Sequence, residues 1–549
     1  MTTRVPTLAS AALAFLLSPS VLAQGELHVY DGASGDLFGF AVSDAGDVDL
    51  DGIPDCIVGA KVGALNGSRV GSAVVESGAD GSAIHTFHGV QSADFFGFAV
   101  GGGGDVDNDG SPDVIVGAPQ GDHLQFNNGS ATVFSGATGA TLYTWGGLHP
   151  NTEFGHAVAN AGDLNLDGFA DVLVGTWRDH PNGLYSGAVF VFSGQDGSQL
   201  HYLTGDKQDD YLGWSVDSAG DCDGDGAPDI VAGLLHYSGV TADTGAARLY
   251  SGLTGALLHH FDGDSTGDFF GHSVAGVGDV DGDGRSDIAV GAPLDDNLGP
   301  DSGMVRIFSG QTYSLLRQIN GSGQGRLGWA VSRADDVDGD GVPDVLAGAP
   351  WTGSQGGRAH IHSGADGSVL VSLSGAASSN FGFAVSDAGD VNLDGRPDVI
   401  VGSPYDDTAG VDSGSAHVIT PFCGDVQSIG GACPGTGGLV PSLGLPGCLA
   451  AGGFVTLEFD QMLGGSTAFL LFGTGQDTLP LGGGCPLVIG PVLPYVETLP
   501  VPPSGSIHIP APLPIHFPTT LSMTLQAMVA DPQGAGGYST TNGLLLTIE

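Results

Sequence analysis

The sequence predicts an all-β fold: a seven-bladed β-propeller followed by a small C-terminal β-sandwich-like domain. Three observations carry this reading. A nine-residue acidic loop returns seven times at a nearly constant spacing. Each copy sits among four short β-type runs. The last copy lacks its fourth run, while a run of the same kind opens the mature part of the chain.

The loops begin at Asp47, Asp105, Asp163, Asp221, Asp279, Asp336 and Asp390, in steps of 58, 58, 58, 58, 57 and 54 residues. Such regularity marks one structural unit repeated. Some eight residues before each loop stands an aromatic or Leu followed by Gly: Phe38-Gly39, Phe96-Gly97, Phe154-Gly155, Leu212-Gly213, Phe270-Gly271, Leu327-Gly328 and Phe381-Gly382. After the loop come an apolar run and Gly-Ala-Pro or a variant, whole at Gly117-Ala118-Pro119, Gly291-Ala292-Pro293 and Gly348-Ala349-Pro350. A third run (Ala131 to Phe134) and a fourth (Ala83 to Phe87) illustrate how the unit ends. Four short runs divided by Gly, Asp and Ser turns, with no helical periodicity, fit a four-stranded blade. The seventh unit stops after Ser415 to Thr420, and Glu26 to Gly32 aligns with the missing fourth run. The N-terminal strand is therefore expected to complete the last blade and remove an open sheet edge.

Each loop reads D-x-[DN]-x-D-G-x-x-D, with side-chain oxygens at positions 1, 3, 5 and 9 and Gly at 6 for the turn. The candidate metal ligands are Asp47, Asp49, Asp51 and Asp55; Asp105, Asp107, Asp109 and Asp113; Asp163, Asn165, Asp167 and Asp171; Asp221, Asp223, Asp225 and Asp229; Asp279, Asp281, Asp283 and Asp287; Asp336, Asp338, Asp340 and Asp344; and Asp390, Asn392, Asp394 and Asp398. A cage of hard oxygens suits Ca²⁺, so up to seven ions are expected, one per blade. An EF-hand would need an acid at position 12. That position holds Val58, Val116, Val174, Ala232, Val290, Ala347 and Val401, which leaves position 9 to close a compact loop between strands. Four clustered carboxylates repel one another without a cation.

Phe-Gly, the acidic loop and Gly-Ala-Pro in that order resemble the FG-GAP repeat, known from the seven-bladed propeller of integrin alpha subunits and present also in glycosylphosphatidylinositol-specific phospholipase D. The resemblance covers about Glu26 to Pro421. It implies Ca²⁺ in the loops on one face of the propeller and ligands or partner subunits on the other. No segment reads as a transmembrane helix or as a zinc-dependent catalytic domain, so the likeness is to the propeller alone. The repeat is weakened at Gly175-Thr176-Trp177, Gly233-Leu234, Leu212 and Leu327, where packing rather than metal binding is affected.

Among 549 residues there are 13 Lys and Arg against 61 Asp and Glu, a formal charge of −48. Nothing here could neutralise a phosphate backbone or an anionic bilayer, so nucleic acid is excluded as a partner. Seven divalent ions would still leave the charge at −34. Arg4, the short apolar stretch Leu8 to Leu17 and Val21-Leu22-Ala23 read as a signal peptide over residues 1–23, with the propeller over 24–421 and the C-terminal domain over 422–549. No later stretch is apolar for the length of a membrane span. A secreted or cell-surface location follows, where Cys423, Cys433, Cys448 and Cys485 are expected to form two disulfides. The C-terminal domain, with β-type runs such as Phe454 to Phe459 and Leu521 to Val529, loosely resembles modules appended to secreted bacterial repeat proteins.

The residue after each Phe-Gly pair is a ring: Phe40, Phe98, His156, Trp214, His272, Trp329 or Phe383. Packing between blades is expected there in preference to a stacking ligand site. Gly263 to Gly267 matches G-x-S-x-G but lacks the strand and helix of a nucleophile elbow; Gly321 to Gly325 is a turn; His360 and His362 are expected on the surface; Cys56 and Cys222 are expected to be free. No reaction centre emerges, and the chain is read as a non-enzymatic, calcium-binding adhesion or ligand-binding scaffold for an extracellular protein or glycan. Two alternatives remain: a propeller-based extracellular hydrolase or lyase with a pocket on the axis, and a structural cell-envelope component.

Overall fold

The computed structural model describes residues 25–421 apart from 66–67, 124 and 239–242, and beyond them the backbone of nine strands between Val426 and Ile548. Seven four-stranded antiparallel sheets follow one another around an axis, so the propeller expected from the repeat is present. The expected sandwich over 422–549 falls on residues of which only strand backbone is described. Residues 1–24, Cys423, Cys433 and Cys448 lie outside the described residues, and Cys485 opens a strand whose side chains are not described.

Within a blade the first strand lies nearest the axis, as Ser273–Gly278 does in blade 5, followed outward by Asp287–Ala292, Met304–Phe308 and Leu315–Asn320. The second strand is buried along its whole length in every blade. A strand covered on both faces reads as a continuous apolar run instead of an alternating one, which is why Val114-Ile115-Val116 and Val172-Leu173-Val174 recur. The outer strand alternates more, as in the exposed Gln318 and Asn320 on either side of the buried Ile319.

The Phe-Gly and Gly-Ala-Pro signatures have one steric cause. A Cβ added to the glycine of the second strand would meet the carbonyl oxygen of the next blade's Phe-Gly glycine at 2.0 to 2.3 Å at all seven junctions, from Gly59 against Gly97 to Gly402 against Gly39. Only glycine on the second strand lets the backbones approach this closely. A parallel bridge ties each aromatic or Leu to the glycine that opens the preceding blade's third strand, as between Phe154 and Gly129.

The ring closes by the same contacts. Gly25–Asp31 pairs antiparallel with Ser415–Thr420, which makes the N-terminal strand the outermost of blade 7. Phe38 bridges Gly414 as its counterparts do elsewhere. Cys56 and Cys222 are free and buried in separate cores, as the sequence predicted.

Gly291 has no positive φ, so alanine there tests close packing without backbone strain, at the blade contact and at Ser273 Oγ of the same blade, 2.4 Å from the added Cβ. Its Cβ would meet Gly328 O at 2.2 Å, and overpacking of this kind costs about 1–3 kcal/mol. Gly291→Ala is expected to lower the urea midpoint accordingly; an unchanged midpoint would show that the blade spacing is not set by this contact.

Candidate functional site

Each acidic loop joins the first strand of a blade to the second, so all seven lie on one face. Position 6 is a glycine with φ between +85° and +96° in every copy, the left-handed turn that its lack of a side chain permits. Position 4 is left-handed too, and there the sequence uses Leu50, Asn108, Leu166 and Leu393 as well as glycine.

Backbone N–H groups organise the carboxylates. In the first loop Asp47 Oδ1 accepts from Asp51 N at 2.9 Å and Oδ2 from Gly52 N at 2.9 Å, while Asp51 Oδ1 accepts from Ile53 N at 2.9 Å. The same pattern holds at Asp105, Asp163, Asp279, Asp336 and Asp390. Carboxylate oxygens of Asp47, Asp49 and Asp55 lie within 4.8 Å of one another, as do those of Asp105, Asp107 and Asp113, of Asp279, Asp281 and Asp287, and of Asp221, Asp223 and Asp225. The donor set is all oxygen, converging and mostly anionic, which fits Ca²⁺. The fourth loop differs: Arg285 Nη1 stands 3.6 Å from Asp221 Oδ2 and shares that carboxylate.

Position 9 joins the loop to the core. Asp55 accepts Val48 N at 2.8 Å on Oδ2 and Gly78 N at 3.0 Å on Oδ1. Asp113, Asp171, Asp229, Asp287 and Asp344 each take the same two donors from their own loop and from the glycine after the third strand. In blade 7 the glycine is replaced by Pro421, which has no N–H, and the Thr420 side chain bonds Asp398 instead. Burial pushes Asp55, Asp113, Asp171, Asp229 and Asp287 up to about 6, Asp344 to about 7 and Asp398 to about 8, the backbone donors acting against the rise.

At the opposite face the rings after Phe-Gly form a closed belt. Phe40, Phe98, His156, Trp214, His272, Trp329 and Phe383 pack in order, each tilted against the next by 42° to 55°, and return to Phe40 with centroid separations of 4.3 to 6.0 Å. The expected packing between blades is thus observed. Burial lowers His156 to about 3 and His272 to about 4, so both act as neutral rings. Lys61 Nζ lies 3.5 Å from the Phe40 centroid, and burial lowers it to about 8.

Further along the same strands the axis widens into a cavity of about 500 Å³. Asp44, Asp217, Asp335, Asp387 and Arg333 line it, with Arg333 Nε 2.7 Å from Asp387 Oδ2. Reading by motif missed these residues. For Asp44, Arg333 and Asp387 the signal lay in a column across the repeats: six residues after the aromatic or Leu come Asp44, Gly102, Asn160, Ser218, Gly276, Arg333 and Asp387. One expectation is corrected. His362 is buried and His360 half-buried, because the strand Arg358–His362 is flanked on both sides, and burial lowers both. The turn at Gly263 to Gly267 has no helix after it.

A sequence model of the FG-GAP repeat matches residues 270–308, 327–371 and 382–419, and one of the FG-GAP-like repeat matches 105–174. The chain carries FG-GAP repeats. Its propeller resembles those of integrin alpha subunits: it is 32% identical over 221 residues to Integrin alpha-V of Gallus gallus, covering 37% of this chain and 21% of that one. It is 31% identical over 251 residues to Integrin alpha pat-2 of Caenorhabditis elegans, covering 40% and 20%, and 29% identical over 229 residues to Integrin alpha-5 of Xenopus laevis, covering 36% and 20%. The chain thus spans about a fifth of the length of the curated relatives it matches. Blades 1 and 4 share the geometry of the matched FG-GAP repeats. No helix among the described residues is long and apolar enough to cross a membrane.

Burial, and for Asp44 the nearby Asp387, raise Asp44 and Asp217 to about 7. The native state therefore retains protons that the unfolded chain releases near pH 4. Their stabilising contribution is complete below about pH 4 and is lost as pH rises through about 7. The urea midpoint of the wild type is expected to fall more steeply over this range than that of the Asp44→Asn/Asp217→Asn variant; parallel curves would show that the axial carboxyls do not titrate differently on folding.

Proposed function

We propose that this protein is a secreted, calcium-binding propeller acting as an extracellular adhesion or ligand-binding scaffold. The observation that carries the reading is the seven matched loops on one face, each with oxygen side chains at positions 1, 3, 5 and 9 and backbone donors already holding the carboxylates in place. Residues 1–23 serve as the signal peptide, and residues 422–549 as a disulfide-tied β-sandwich. The integrin alpha subunits that the propeller resembles are cell-surface adhesion receptors, and by that likeness the face opposite the loops would meet a protein or glycan.

Calcium would bind with the side-chain oxygens of each loop and supply positive charge where the position-9 acid enters the core. The fourth loop, whose Asp221 is shared with Arg285, would hold its ion most weakly. One observation favours a second reading, a hydrolase or lyase: acids and an arginine outside the loops converge in the axial cavity. Turnover in a screen of glycans and phosphodiesters, abolished in Asp387→Asn, would establish it.

Calorimetric titration of EDTA-stripped protein is expected to give several calcium equivalents and a rise in Tm of roughly ten degrees or more, since each bound ion stabilises by mass action. Asp113→Ala should remove one equivalent. Absence of heat and of a Tm shift would overturn the calcium reading.

A further inference from the structure

Blade 5 carries an acidic cluster that belongs to none of the seven loops. Asp264 and Asp268 lie in the connection entering its first strand, and Asp295 lies just after its second strand. Both segments are at the strand ends remote from the loop Asp279 to Asp287, so the cluster is on the opposite face. Each residue offers a carboxylate oxygen within 4.8 Å of the other two. Asp268 is 4% exposed and Asp295 2%.

The pairing is peculiar to this blade. By the repeat period, Asp268 and Asp295 correspond to one pair of positions in every unit. Every other blade has at most one acid there, as in Thr152 with Asp179, Asp210 with Tyr237, and Ser379 with Asp406. Where a single acid stands it finds donors: Asp179 Oδ2 accepts the Tyr202 hydroxyl at 2.6 Å, and Asp210 Oδ2 accepts Asp206 N and Lys207 N, each at 3.0 Å. Among the described residues no donor reaches Asp268 Oδ2, although that atom is buried. Asp295 takes its donors from Asn297, at 2.9 and 3.1 Å, and faces Asp268 closely enough that the two carboxyls are joined only if a proton is held between them. Burying one unpaired carboxylate is costly, and burying two face to face more so.

We propose that Asp264, Asp268 and Asp295 form an eighth cation site, for a hard divalent ion such as Ca²⁺ or Mg²⁺, on the face opposite the loops. Charge fits: Arg306 pairs with Asp264, so three carboxylates and one guanidinium leave two negative charges for a divalent ion. The chemistry fits as well, because the three residues supply only oxygen. Asp264 is exposed, so the ion would keep water on its outer side. A proton shared between Asp268 and Asp295 is the rival account, and burial with the neighbouring Asp295 does raise Asp268 to about 7.

The test is crystallographic, with Mn²⁺ alone as the probe, since manganese takes the oxygen ligands of calcium and magnesium and scatters anomalously. Crystals of the full chain soaked in Mn²⁺ are expected to show an anomalous peak between Asp268 and Asp295, separate from any in the loops. The peak should vanish in Asp268→Asn with the loop peaks retained, and bulk metal content should fall by one equivalent. Asp264→Asn, a change at an exposed residue, should weaken the same peak if the buried variant fails to fold. Peaks in the loops with none at Asp268 would overturn the proposal, as would an Asp268→Asn protein that is more stable than wild type and binds as much manganese, the signature of a shared proton.

Discussion

The close approach of one blade's second-strand glycine to the next blade's Phe-Gly carbonyl is the constraint on which the molecule rests. It recurs at all seven junctions and leaves no room for a side chain, so the spacing of blades is fixed by backbone rather than by adaptable side chains. Because each contact sits at the same height, the ring that follows each Phe-Gly must meet its neighbours around the axis. The aromatic belt is a product of that spacing. Closure needs no special device: Gly402 meets Gly39 as Gly59 meets Gly97, and the N-terminal strand supplies the edge that the last unit lacks.

The position-9 aspartate links this scaffold to the loops. Its side chain is buried and bonded on both oxygens, so it belongs to the core, yet it is close enough to positions 1 and 3 to share their charge. Fold and loop chemistry are thereby coupled. Removing the negative charge at this point, by proton or by cation, relieves the core as well as the loop. Blade 7 shows that the bond matters more than the residue that makes it: proline removes the usual N–H, and a threonine side chain restores the contact.

What could be read in the sequence was what the repeat displays. Seven loops, Phe-Gly pairs and apolar second strands recur at fixed intervals, so blade number, loop positions and the closing strand were all legible before any coordinates. Features confined to one blade were not. Asp268 and Asp295 are 27 residues apart and match no motif; only the turn of the blade brings them together. Asp44, Arg333 and Asp387 occupy a column where other copies carry Gly102, Gly276 or Ser218, which reads as noise in a single chain. His362 was misplaced because alternation on a strand says which face a side chain takes but not whether that face is covered.

The same contrast separates what the fold requires from what it merely carries. Gly102 and Gly276 show that a blade is complete without a charged residue at its axial position, so Asp44, Arg333 and Asp387 are not needed to build the propeller. Buried charges lower stability unless they are paired, and only some of these are: Arg333 reaches Asp387 at 2.7 Å and Asp335 at 3.8 Å, which leaves Asp44 and Asp217 without a cation of their own. They also break the symmetry, since Asp44, Arg333 and Asp387 come from the contiguous blades 6, 7 and 1. A seven-fold scaffold that gathers Asp44, Arg333, Asp335 and Asp387 on one side of its axis, with Asp217 of blade 4 facing them, has a polar direction across the cavity, and that direction comes from the side chains, because seven equivalent backbones cannot supply it.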